Sequence, residues 1–157
     1  MDRITKTLND LDGKQIEIGV LGEDSELQMI AHVQEYGATI TVTPKMRAWF
    51  AYQGYPLKAS TTQIVIPERS FLRGGRDKNK GKIKSKVADM MPKVIEGGVP
   101  VKLFLESIGE EYAGLIQKEL RDLKSPPNAP MTVDKKGSSN PLVDTGRLMG
   151  ENRSEVK

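Results

Sequence analysis

The sequence predicts an α+β protein. The expected layout is a small, mainly antiparallel sheet with a short N-terminal helix and a helix after the first strand, then two longer helices and an extended C-terminal arm. Three observations lead there. Before residue 67 apolar residues alternate in short runs, the period of half-buried strands; from residue 82 to 123 they recur at helical spacing; after Lys124 they give way to Pro, Gly, Ser and Asn. Strands first and helices after is the α+β order.

Each element has a local reason. Ile4, Leu8 and Leu11 share a helical face before the Asp12-Gly13 turn. Residues 15–21 alternate, with Ile16, Ile18 and Val20 on one side. Ser25 and Gln28 have capping-box spacing, and Leu27, Ile30 and Ala31 line the helix that Gly37 ends. The acids Glu23, Asp24 and Glu26 lack the spacing of a calcium loop and read as charges favoured at a helix start. Residues 39–43 alternate again, and Thr43-Pro44 is an N-cap followed by proline at the first helical position. Residues 60–66 form a β-prone run stopped by Pro67. Ile83, Val87, Met90, Met91, Val94 and Ile95 make a helical stripe, which Pro92 either kinks or divides. A longer helix follows from Val101 to Leu123, whose Gly109 and Gly114 cost about 1 kcal/mol each against Ala and so hint at close packing. The expected division is a structural domain over 1–124 and an assembly arm over 125–157 that contributes little to the fold.

Composition narrows the chemistry. The 157 residues include no cysteine and one histidine, His32, which excludes disulfides, thiolate chemistry and a multi-histidine metal site. His32 sits beside Gln34 and Glu35 without a nucleophile, and reads as a packing or hydrogen-bonding residue. No cofactor is expected, because Gly19-Val20-Leu21-Gly22 lacks the third glycine and the Lys-Ser/Thr ending of a phosphate loop. The first residues lack the apolar run of a secretory signal, and no stretch is apolar enough to span a bilayer, so no membrane partner is expected. A net charge of +3 permits nucleic-acid contact without demanding it.

Two constellations stand out. Arg73, Arg76, Lys78, Lys80, Lys82, Lys84 and Lys86 meet only one acid, Asp77, and their alternate spacing with Gly74-Gly75 and Gly81 predicts an exposed basic loop over 73–86. Such a loop is either a solvated segment or a surface facing the phosphates of duplex DNA; without interleaved aromatics it does not suit single strands. The second is Trp49, Phe50, Tyr52 and Tyr55, which cannot all point inward from one short helix. Some belong to a core, and the remainder make a subunit interface.

Three stretches carry a resemblance. Ala31-His32-Val33-Gln34-Glu35-Tyr36-Gly37-Ala38-Thr39-Ile40, Ile66-Pro67-Glu68-Arg69-Ser70-Phe71-Leu72-Arg73 and Pro141-Leu142-Val143-Asp144-Thr145-Gly146-Arg147-Leu148 resemble the signature segments of tail-completion and head-tail joining (neck) proteins of long-tailed bacteriophages, related to Mu-like virion-morphogenesis proteins. Ser70 stands where a second proline is common, and the last residues, 151–157, lack a recognisable β-rich finish. The resemblance implies a non-enzymatic virion component: a homo-oligomeric ring subunit at the neck, assembled in the host cytoplasm. Its implied partners are its own copies, the portal or connector, tail or tail-terminator proteins, and weakly held genomic double-stranded DNA in the lumen. Within this arm the Asp144-Thr145-Gly146 turn can fold back on its own backbone and leave the Arg147 guanidinium free for a bidentate pair, so Asp144, Thr145, Arg147 and Leu148 are expected to meet a neighbouring subunit, Arg147 through a partner's carboxylate. The competing reading is a free-standing, sequence-independent DNA-binding module.

Overall fold

A computed structural model describes residues 2–157. The chain runs α1 (Arg3–Leu11), β1 (Ile16–Val20), α2 (Ser25–Tyr36), β2 (Ala38–Thr41), α3 (Pro44–Tyr52), β3 (Gln63–Ile66), α4 (Phe71–Ile95), α5 (Val101–Asp122), α6 (Pro130–Lys136), α7 (Arg147–Gly150) and β4 (Asn152–Val156). The class is α+β, with the two long helices after the first strands. Its strands divide into two separate antiparallel pairs, β1 with β4 and β2 with β3.

The local signals act where they are written. Leu27 N–H donates to the Asp24 carboxylate at 3.0 Å, so the cap of α2 is Asp24 and not Ser25; Gln28 reaches back to the Gly22 carbonyl instead. Thr43 Oγ1 accepts from Met46 N–H at 3.2 Å, with Pro44 opening α3. Gly37 ends α2 at φ 73°, where a Cβ would stand 2.8 Å from the Ile66 carbonyl, so the turn into β2 requires glycine.

α4 and α5 form an antiparallel hairpin, and α5 carries the β1–β4 ribbon on its other side. Ile83, Val94, Phe104, Leu105 and Ile108 are buried within the hairpin, with Ile16 and Val156 against them. Gly109 makes the close approach possible: a methyl there would lie 2.8 Å from Ser154 Oγ and 3.0 Å from Ile16 Cγ2. Gly114, by contrast, faces open space, so only one of the two helix glycines is a packing glycine.

Two expectations are corrected. The stretch 73–86 is not a loop but the first half of α4, which continues past Pro92 to Ile95. Its glycines and lysines are poor local helix signals, yet tertiary contacts override them. Gly75 is buried where a Cβ would meet Ile116 Cα at 3.2 Å, which lets the helices approach; Asn79 Nδ2 also donates to the Gly75 carbonyl at 2.7 Å.

Nor is 125–157 an extended arm that leaves the fold alone. It folds back, placing Leu142 and Leu148 in one cluster with Leu27, Ala31, Phe71, Ile116 and Leu120. It then adds β4 to β1, with Ile16 opposite Val156 and Val20 opposite Asn152. Few apolar residues remain in this segment, but Leu142, Val143, Leu148, Met149 and Val156 are spent on the core.

Candidate interface surfaces

The three stretches that carry the resemblance meet at one joint. Glu35, on α2, is 2% exposed and accepts from the Ser70 hydroxyl (2.9 Å), Leu72 N–H (2.9 Å), Arg73 N–H (3.0 Å) and Arg73 Nε (2.9 Å). Its carboxylate therefore caps α4, satisfying first-turn amides where negative charge also complements the helix dipole. Neighbouring Gln34 takes Arg69: the guanidinium donates to Gln34 Oε1 (2.8 Å) and to the carbonyls of Pro126 (2.7 Å) and Pro127 (2.9 Å). Burial holds the Arg69 pKa below its usual value, as no carboxylate offsets its desolvation. Arg69 thus ties the return segment to α2. Asn140 Oδ1 caps the turn over Leu142 and Val143, and Leu142 enters the cluster beneath α2.

This joint places two of the expected interface residues. Leu148 is 7% exposed and belongs to the core. Arg147 pairs with Asp24 of its own chain. Asp144 and Thr145 are exposed beside a groove of about 350 Å³ between α2 and the return segment.

The seven cations of α4 divide by helical geometry. Lys78, Lys82 and Lys86, at i, i+4 and i+8, turn toward α5: Lys78 pairs with Glu119, and Lys82 and Lys86 both pair with Glu111, at 3.5 and 2.5 Å. Arg73, Arg76, Lys80 and Lys84 fall on the other side of the helix. Arg73 is engaged by Glu35 and Glu68 and lies over the Tyr36 ring, its centroid 4.5 Å away. Arg76 has only its exposed neighbour Asp77, a pairing water largely screens, and Lys80 and Lys84 have no ion pair among the described residues. The basic surface is therefore the outward stripe Arg76, Lys80 and Lys84, three of the seven cations the spacing promised.

Glu111 supplies a pH-dependent test of the inward set. The Lys86 hydrogen bond, with help from Lys82, holds its carboxyl below the ordinary carboxylate range. A depressed pKa contributes stability that is present above the unfolded value and lost as pH falls through the folded one. Glu111→Gln is expected to lower stability at neutral pH by less than about 1 kcal/mol, the scale of a partly exposed pair. The difference from the parent should close as pH falls below the ordinary carboxylate range, measured by urea unfolding across that window.

Residues 38–66 make a separate projection. α3 has no buried residue, and its Arg47 stiffens the tip by donating to the carbonyls of Leu57 (3.2 Å), Lys58 (2.8 Å) and Thr61 (2.8 Å). Of the aromatic group, Phe50 packs edge-on against Trp49, Tyr55 donates to Asp134 on α6, and Lys135 lies 4.8 Å from the Trp49 ring centroid. Tyr52 is left 88% exposed and Trp49 47%. Between Tyr36 and Glu68 the chain has no carboxylate side chain but carries Lys45, Arg47 and Lys58.

His32 is exposed and rests against Tyr36, ring centroids 4.8 Å apart. Among the described residues no group of three His, Asp or Glu side chains could hold a metal, and no helix is long and apolar enough to cross a membrane. The chain matches no protein-family model, no curated protein and no solved structure.

Proposed function

We propose that this chain is a structural subunit of a tailed-phage virion, part of the ring at the head-tail junction, with genome DNA passing beside the outward stripe of α4. The observation that carries the DNA side of the reading is the sorting of the α4 cations. Lys78, Lys82 and Lys86 are spent on α5, whereas Lys80 and Lys84 form no ion pair among the described residues and Arg76 meets only its exposed neighbour Asp77. Such a stripe attracts phosphates without reading sequence. The ring side rests on the resemblance of the three stretches and on the exposed aromatics of the projection, which give one face of the subunit a character unlike the rest. A closed ring needs such unlike faces, because its contacts are heterologous.

The reading makes the virion neck the place of action, with copies of this chain, connector and tail components and double-stranded DNA as partners. It gives the protein no catalytic step. A lone subunit holds DNA weakly, and a ring aligns many stripes on one duplex, raising the effective concentration of each.

Replacing Lys80 and Lys84 together with Glu is expected to weaken duplex binding equally across sequences and to reduce the salt slope by about 2. Thermal stability and oligomer mass should be unchanged, since neither lysine holds an internal ion pair. Sedimentation and salt-dependent binding on the same samples make the measurement. Unchanged DNA affinity would sink the channel role; a stable monomer that binds DNA tightly would favour the free-standing DNA-binding module.

A further inference from the structure

β1 has one unpaired edge, and that edge lies beside an apolar groove. Gln15 and Lys157 exchange both backbone hydrogen bonds, at 2.9 and 2.8 Å. In an antiparallel ladder the next such residues on β1 are Glu17 and Gly19, so the N–H and C=O groups of Ile16, Ile18 and Val20 point away from β4. The sheet has only the order β1-β4, and no described residue forms a hydrogen bond with those groups.

The groove, about 310 Å³, is lined by Ile16 and Ile18 from the strand and by Leu72, Tyr112 and Ile116 from the helices, with Arg73 and Arg76 at its side. Leu72 and Arg73 also line a second hollow of about 240 Å³ beside Val20, His32 and Tyr36. Exposed edges are usually blunted by proline, lysine or a covering element. β1 contains neither residue.

We propose that this edge takes an extended segment of a partner protein as a third strand, one with apolar side chains at alternate positions and carboxylates at its ends. Backbone pairing satisfies Ile16, Ile18 and Val20, alternate side chains fall against Leu72, Tyr112 and Ile116, and carboxylates meet Arg76 and Lys80 on the adjoining stripe. A helix in the same groove would leave the strand's donors and acceptors unpaired. A second copy of this chain is a poorer occupant, because its projecting ribbon has no carboxylate and brings Lys45, Arg47 and Lys58 toward a cationic rim. This inference does not depend on the ring reading.

The test uses amide hydrogen exchange on the full chain, with a short capped peptide alternating Val and Thr between terminal glutamates, against the same peptide with lysines. The glutamate peptide should slow exchange at Ile16, Ile18 and Val20 while leaving Glu17 and Gly19, already bonded to β4, unchanged. The lysine peptide should bind at least about tenfold more weakly, and Arg76→Glu should narrow or invert that preference. Ile18→Pro removes an outward N–H and no bond to β4, so it should abolish binding; should it unfold the sheet, the Arg76→Glu arm still decides. Three results overturn the proposal: neither peptide protects these amides, binding is indifferent to peptide charge, or the amides are already protected in the free protein in a concentration-dependent way, which would assign the edge to a second copy.

Discussion

Ending the chain after Lys124 is expected to unfold the body. Leu142 and Leu148 fill the cluster around Phe71 and Leu120, both of which are fully buried. Each lost leucine removes about 1.5–3 kcal/mol of burial. Arg69 would keep its buried guanidinium but lose the carbonyls of Pro126 and Pro127, and an unsatisfied buried polar group costs about 1–3 kcal/mol. Loss of β4 then leaves β1 alone on α5 with both edges open. Together these losses rival the roughly 5–15 kcal/mol that holds an ordinary domain. Circular dichroism should show no cooperative melt for the truncated chain. A cooperative transition close to that of the full chain would mean that the return segment is an appendage after all.

Glu35→Ala should be the most damaging of the single substitutions near the surface. The carboxylate accepts four hydrogen bonds, two of them from backbone amides in the first turn of α4. Removing it leaves those amides without a partner in a site where water has little access. Arg73 suffers less, since its side chain is 41% exposed and can turn to solvent. The expected loss is about 3 kcal/mol, or roughly 6–12 °C in melting temperature. Glu35→Gln should recover part of it, because one amide oxygen can still accept from the helix. Thermal melts of the three proteins decide; an alanine variant within about 1 °C of the parent would show that water replaces the cap at little cost.

Element existence was legible because its signals are local. Alternation at Ile16, Ile18 and Val20, the Thr43-Pro44 start, the Gly37 stop and the long period through Val101 to Leu123 each act within a few residues. The three stretches that carry the resemblance also meet in the fold. Their physical role was hidden: Glu35 and Arg69 are ordinary charged residues in sequence, and only the meeting of α2, α4 and the return segment makes them a buried joint.

The same limit explains the misread basic segment. Gly74, Gly75, Asn79 and Gly81 are poor helix formers, and the apolar period is missing over the first turns of α4. A helix forms there because Glu35 caps it, Gly75 fits against Ile116, and α5 offers Glu111 and Glu119 to three lysines, all of which arrive from distant sequence. The sequence by itself determined the α+β class, the order of most elements and the excess of positive charge near α4. Tertiary structure alone decided which cations remain free, which aromatics stay exposed and that the last strand closes on the first. Those outcomes depend on contacts between residues far apart in the chain, and no local pattern records them.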